Sequence, residues 1–440
     1  MDHGVMPSSV SGKPKRTKWP WAAFGANVGV SGFAAWVPLY VLQLGGTVVE
    51  VALLTSLYNV VIIPASVFWG KTTDRLARRR FFFLVSSSGA TAVFMAIYLL
   101  RNFAALTVLY PVLGIVVVAN APAAGLLVRE TSDKESWMSS FSWLALLQMS
   151  GSVLGTLAGF LWVGILPLAT FSIFCAGSAC FSFILAFYLI SEPAVHPETV
   201  QLGSLTAGLS RTYHRLVFKS RHLFVKAFSP SNVAKQFRAM RNAAMTGRLF
   251  LLLSAFVIYA GNSVISTPFT PFLASRGVLD NEVFAVYSIN ILLQMVVYRW
   301  IGSFIEVPGK MKSVLKIILL RPLLMVILAS SALLYSGDLL FGIVSVFFGI
   351  LGATFAIWNS ATSVALYSSL GESRQGSILG WYTAIVYLGV VVGSLFSGYL
   401  ASYLGYPITF TIGAVLTLLT FFIQKVALRN LGYIDIPSHK

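Results

Sequence analysis

The chain has 440 residues, 57% of them hydrophobic and only 10% charged, with a formal net charge of +17. Soluble domains carry about 25% charged residues, so this composition excludes a soluble globular protein and points to a polytopic membrane protein. Runs of 20 or more apolar residues also exclude a β-barrel, whose strands alternate over about 10 residues.

In chain order, residues 1–18 form a basic tail containing Lys13, Lys15, Arg16 and Lys18. Charge-free runs then cover 19–49, 51–70, 81–100, 102–128 and 136–191. A helix needs about 20 apolar residues to cross about 30 Å of hydrocarbon, so the run 136–191 is two spans, breaking near Gly164 and Pro167. The start of the first run has the flanking charges of a signal peptide, but its length and the lack of a clear cleavage site predict a retained span. Residues 19–191 are therefore a six-helix bundle. Residues 192–248 form a polar linker with nine Lys and Arg and no acid after Glu198. Within it Leu209, Tyr213, Leu216, Val217, Leu223, Phe224 and Phe228 recur at helical spacing among basic residues, which predicts an amphipathic helix on anionic inner-leaflet lipid. A second set of runs, 249–275, 283–305, 313–335, 339–371 and 375–424, gives six more spans within 249–428, the last run breaking near Gly405 and Pro407. Residues 429–440 are a short tail.

Placing the N-terminus in the cytoplasm puts 28 of the 31 Lys and Arg on one side of the membrane. That is the positive-inside bias, and it accounts for the charge without a nucleic-acid partner. Both termini are then cytoplasmic, and the expected location is the cell membrane. Cys175 and Cys180 point to different faces of one helix and read as packing residues, not a disulfide.

The two halves echo each other. Gly70-Lys71-Thr72-Thr73-Asp74-Arg75, followed by Arg78, Arg79 and Arg80, matches Gly302-Ser303-Phe304-Ile305-Glu306-Val307, followed by Gly309, Lys310 and Lys312, 232 positions later. Trp143, Gly151 and Gly155 match Trp381, Gly389 and Gly393 at an offset of 238, and Asn120 matches Asn359 at 239. Matches in the same order across an even number of spans indicate parallel repeats, related by an axis along the membrane normal. The expected fold is thus an all-α polytopic membrane protein of twelve transmembrane helices in two homologous six-helix bundles.

The Gly70, Asp74, Arg75, Arg78, Arg79 signature, the twelve spans and the long central linker resemble the major facilitator superfamily, over nearly the whole chain. The resemblance implies the fold of that family, transport by alternating access, and a conformational gate at this loop. Gly70 would allow close helix approach, and Asp74 would satisfy a free helix N-terminus on the eleventh span. Arg75, Arg78 and Arg79 would pair with Glu130, while Gly302, Glu306, Lys310 and Glu372 would form a weaker second copy. The plainer alternative is that these charges only anchor the loop and set topology. The multidrug branch's fifth-span motif is incomplete, with Thr156 at its Pro position.

The resemblance also places certain spans around a central cavity. Polar and aromatic residues at membrane depth need protein or water partners, and they concentrate on those spans. The candidates are Asn27, Ser31, Tyr58, Asn59, Asn120, Trp143 and Gln148 in the first half. In the second half they are Tyr259, Asn262, Asn290, Gln294, Trp358, Asn359, Trp381 and Tyr382. All 14 acids lie in loops, tails or span ends, and all five His lie outside the spans. With no intramembrane carboxylate, no metal-binding cluster and no Walker loop, neither an enzyme nor an ATP-driven pump is expected, and no cofactor. Arg321 lies within the ninth span and reads as a snorkelling or structurally paired residue, with anion binding as the functional alternative. The reading is a secondary active or facilitative transporter exporting a neutral, lipophilic or amphiphilic small organic compound. Alternatives are uptake of a polar neutral solute such as a sugar, and a non-transporting receptor on the same scaffold. A coupling proton or ion is left open. On the latch reading, Asp74→Asn shifts the population toward the inward-open state, measured as reduced labelling of outward-facing cysteine probes; unchanged labelling contradicts the latch.

Overall fold

The computed structural model describes residues 17–76, 78–132, 137–191, 245–305, 311–368 and 375–432; of residues 74–75, 137–139, 245–246, 302–305, 311–312, 367–368 and 375–381 it describes only the backbone. Among the described residues 92% are helical and none forms a strand. Among the described residues, twelve helices are long and apolar enough to cross a membrane. The first half holds span 1 (Pro20–Gln43), span 2 (Val48–Arg75), span 3 (Arg79–Leu100), span 4 in two pieces (Phe103–Val117 and Asn120–Thr131), span 5 (Trp137–Ile165) and span 6 (Phe171–Leu189). The second holds span 7 (Met245–Ser275), span 8 (Asp280–Ile305), span 9 (Met311–Leu334), span 10 (Gly337–Ser368), span 11 (Gln375–Leu404) and span 12 (Tyr406–Asn430). The expected amphipathic helix of the linker lies outside the described residues.

Packing follows the same plan twice. Span 1 packs on spans 5 and 6, span 3 on 6 and 4, and span 2 on 4. Span 7 packs on spans 11 and 12, span 9 on 12 and 10, and span 8 on 10. The two bundles meet through spans 2 with 11 and 5 with 8, which are equivalent pairs under the same two-fold relation.

Glycine explains these contacts. Lipid is as apolar as leucine, so helices associate in a membrane by close backbone approach at small residues. A Cβ at Gly151 would strike the Phe24 carbonyl oxygen, and one at Gly155 the Val28 carbonyl oxygen. Their repeats behave alike: a Cβ at Gly389 would meet the Phe256 carbonyl oxygen, and one at Gly393 that of Ala260. One step further along each helix the glycine faces the other bundle, Gly159 against Phe284 and Gly398 against Ala52.

The turns repeat as well. Gly45 and Gly277, 232 positions apart, take φ of 85° and 79°, a conformation that costs glycine no steric penalty. Each turn then starts the next helix with a glutamate accepting from the backbone three residues earlier. Glu50 Oε2 takes the Thr47 amide at 2.6 Å, and Glu282 Oε2 the Leu279 amide at 2.9 Å. This capping arrangement satisfies helix-end amides and places negative charge at the positive end of the helix. The motif Gly-x-x-x-x-Glu-Val therefore marks the duplication more cleanly than the charged loop does.

Span 4 differs from the sequence expectation of one unbroken helix. Pro122 cannot donate to the Val118 carbonyl, so the helix tightens there: Ala119 donates to Val116 and Ala121 to Val118. The Val117 carbonyl loses its helical donor and accepts the Ser86 hydroxyl of span 3 at 3.3 Å. A broken helix at membrane depth persists only with such rescue.

The cores are distributed unequally along the membrane normal. At the end carrying the turns 44–47 and 276–279, one hydrophobic cluster runs across both bundles, including Phe33, Trp36, Tyr40 and Phe171 from the first and Phe269, Phe272 and Phe284 from the second. Phe171 and Phe284 touch edge-on across the interface at 5.3 Å between centroids. At the opposite, basic end the described residues form a separate core in each bundle, around Phe82, Phe83 and Leu127 in one and Ile258, Ile318 and Trp358 in the other. At Gly70 a Cβ would meet no described atom within 4 Å, so the expected close approach is not seen among the described residues.

Gly155→Val should destabilise the protein by about 1–3 kcal/mol, since the side chain must displace a backbone carbonyl. Gly177→Val, where a Cβ meets nothing within 4 Å, should stay within about 0.5 kcal/mol. Thermal unfolding of both variants in detergent checks the contrast.

Candidate functional site: a polar belt between the bundles

At the basic end of the first bundle an ion pair joins the start of span 3 to the end of span 4. Arg79 Nη2 lies 2.7 Å from Glu130 Oε1, and Nε is 3.0 Å from the same oxygen. Arg79 Nη1 also donates to the Thr73 and Leu76 carbonyls, at 2.5 and 3.1 Å. Arg79 thus neutralises the open carbonyl end of span 2 while joining it to the end of span 4. Arg78 is exposed. The side chains of Asp74, Arg75 and Gly302's neighbours, and residues Glu306, Lys310 and Glu372, lie outside the described side chains.

Midway through the membrane, the two bundles handle their polar groups differently. In the first, Asn27 donates to its own helix at Ala23, and Asn59 likewise to Thr55. Ser31 donates to Ser152 at 2.7 Å, joining spans 1 and 5. Tyr58 stacks on Tyr110 with ring centroids 4.4 Å apart. Asn120 sits half-buried at the break in span 4, and Trp143 and Gln148 are half-buried on span 5.

In the second bundle the polar groups connect helices. The Tyr259 hydroxyl donates to Asn359 Oδ1 at 3.3 Å, and Asn359 Nδ2 donates to the Tyr298 hydroxyl at 3.0 Å, a chain through spans 7, 10 and 8. Gln294 donates to Asn290, which donates to the Phe348 carbonyl on span 10. Tyr387 is half-buried on span 11. Tyr298 and Tyr387 were not foreseen in the sequence, where a tyrosine in an apolar run gives no sign of the face it occupies. Tyr382 is half-buried on span 11, and the Trp381 side chain lies outside those described.

Two expectations need correction. Trp358 does not line a cavity. It is fully buried in the second bundle, with its indole N–H on Gln424 Oε1 of span 12 at 2.9 Å. Gln424 also accepts from Ser254 and donates to Thr362, both at 3.0 Å, so one buried amide ties spans 7, 10 and 12. An indole needs a partner when buried, and Gln424 was the visible signal: one amide in a long apolar run. Arg321 does not snorkel either. It is 2% exposed and turns inward to the Leu351 carbonyl and Thr354 hydroxyl of span 10 and to Asn262 of span 7. Pairing within the bundle, the other half of that expectation, is what the geometry shows.

Two six-helix bundles that repeat one packing plan, each carrying polar and aromatic side chains at membrane depth, define a polytopic membrane architecture. The family model described as Major Facilitator Superfamily matches residues 21–382. The chain belongs to the major facilitator superfamily and is a transporter of that type. No curated protein sequence matches it. Among solved structures it is similar to the human organic anion transporter MFSD10, with a TM-score of 0.65 at 16% identity, covering 94% of this chain and 100% of that one. It is also similar to the nucleoside transporter NupG, with a TM-score of 0.65 at 11% identity over 94% and 98% of the two chains. A proton-dependent oligopeptide transporter gives 0.70 at 14% identity over 94% and 98%. At these identities the likeness concerns the fold.

Gln424→Leu should leave the Trp358 indole N–H without its acceptor and the Thr362 hydroxyl without its donor, and lower stability by about 1–3 kcal/mol. Gln148→Leu, in the half-buried position on span 5, should cost less than half as much. Paired thermal melts of the two variants decide this.

Proposed function

We propose that the protein carries a small amphiphilic organic compound across the membrane by alternating access, in the export direction, with its basic end and both termini in the cytoplasm. The observation that carries this reading is the belt itself. Tyr58, Tyr259, Tyr298 and Tyr387 offer flat apolar surface with hydroxyl tips, and Asn262, Gln294 and Asn359 offer amides, in a region where the chain has no carboxylate. Such walls suit a ligand with an apolar body and a few polar groups. They do not suit an organic cation, which needs a buried acid. Asn27, Asn59, Asn120, Trp143, Gln148 and Trp381 remain proposed members of the cavity wall on the strength of their spans.

The distribution of cores supports an inward-facing state. The bundles share one core at the turn end and keep separate cores at the basic end, so a solute would enter from the cytoplasm. Alternating access would transfer the shared packing from one end to the other, with Arg79 and Glu130 bracing spans 2 and 4 as they move. Gly70, Asp74, Arg75, Arg78 and Glu130, with Gly302, Glu306, Lys310 and Glu372, are the proposed gate at that end. A coupling ion would act at span ends, since the belt holds no group that titrates near neutral pH.

Flux tests this. Purified protein in liposomes should release an entrapped lipophilic dye faster than empty liposomes do, and Tyr259→Ala should reduce that release about tenfold by removing one stacking surface and one hydrogen bond. Release no faster than from empty liposomes, across sugars, amino acids and lipophilic anions and cations, contradicts a transporting role.

A further inference from the structure

Arg321 raises a problem that the proposed cycle does not solve. It lies ten residues along span 9 from Met311, about 15 Å at 1.5 Å per residue and so near the membrane midplane. The residue is 2% exposed. Every partner it has is neutral: the Leu351 carbonyl at 2.7 Å, the Thr354 hydroxyl at 2.9 Å, Asn262 Oδ1 at 2.5 Å and the face of Phe355 with its centroid 5.5 Å away. Its Nε–H is buried without an acceptor. A cation at this depth is expensive without a counter-charge. This chain cannot provide one there, because all of its acids lie at span ends, in loops or in tails.

Asn262 shows where an external counter-charge would bind. It is the half-buried member of the group, on span 7 one turn from Tyr259. Arg321 can only donate, so it fixes the amide with Oδ1 toward itself. Nδ2 then faces the other way, and no described residue accepts from it. The result is a polarised donor at the polar belt with a full positive charge directly behind it.

We propose that Asn262 and Arg321 together form a subsite for the anionic group of the substrate, a carboxylate or a similar oxyanion. Asn262 Nδ2 makes the contact and Arg321 supplies the charge, with Phe355 and Tyr259 beside it for the apolar body. The substrate class becomes a lipophilic organic anion, a sharper form of the amphiphile proposed above, and this inference rests on that reading.

The test uses 4-phenylbenzoate and its neutral amide, 4-phenylbenzamide, as probes of thermal stability on the purified full-length protein. The carboxylate should raise the melting temperature at roughly tenfold lower concentration than the amide, as expected when one hydrogen bond gains a charged partner. Arg321→Gln should abolish that preference. Should Arg321→Gln fail to fold, Asn262→Asp decides the matter: it gives Arg321 an internal carboxylate, so the ligand-free protein should melt higher while the preference for 4-phenylbenzoate disappears. Equal potency of the two probes on the native protein, no stabilisation by the carboxylate, or a preference that survives Asn262→Asp would each overturn the anion subsite. These outcomes are separable from the transport reading: a protein that binds the amide equally well and still moves solute in liposomes loses only the anion assignment.

Discussion

The structure depends on close backbone contact between span 5 and span 1, and between span 11 and span 7. In water, burial of apolar area would hold these helices together. In hydrocarbon that drive is absent, and helices adhere where their backbones can approach. Gly151 and Gly155 provide that approach in the first bundle, and Gly389 and Gly393 in the second. Because the same stripe continues into Gly159 and Gly398, which face the opposite bundle, one helical face serves both the interior of a bundle and the interface between bundles. Spans 5 and 11 are therefore the elements whose movement would be felt on both sides.

Around this frame the two bundles have diverged. They share packing plan, turns and caps, and they differ in polar chemistry. The first bundle satisfies its amides within single helices, at Asn27 and Asn59. The second uses Asn359, Asn290, Gln424 and Arg321 to bind helices to one another. Buried polar networks are stiff because each member left unpaired carries a penalty. Among the described residues the second bundle thus has the more connected polar network, while the first carries the broken fourth span.

Most of the architecture was legible in the sequence. Apolar runs, ten spans' worth charge-free and two with one or two basic residues, located twelve spans because hydrocarbon thickness sets helix length, and the offsets of 232 and 238 exposed the duplication. The repeated turns at Gly45 and Gly277 were equally visible but lacked the charge cluster that drew attention elsewhere. Pro122 carried the signal for the break in span 4. The site was harder to read. A helix in lipid is apolar on most faces, so sequence periodicity does not tell which side Trp358 or Tyr387 presents. Trp358 turned inward because Gln424, 66 residues away, offers its indole an acceptor. Arg321 turned inward for a similar reason, since Asn262, Leu351 and Thr354 come from two other helices. Long-range pairing of this kind leaves no local pattern.

The central claim is that two rigid bundles exchange their contact between the two ends of the membrane. Double electron–electron resonance on spin labels placed across the bundles measures this directly. One pair would sit at the turn end, at Leu44 and Leu279, and one at the basic end, at Thr131 and Arg299, with Cys175 and Cys180 replaced. The account predicts a short turn-end distance and a long basic-end distance without substrate, with a second population in which both are reversed once transport is driven. Distances that stay fixed at both ends, or that lengthen and shorten together, would contradict it.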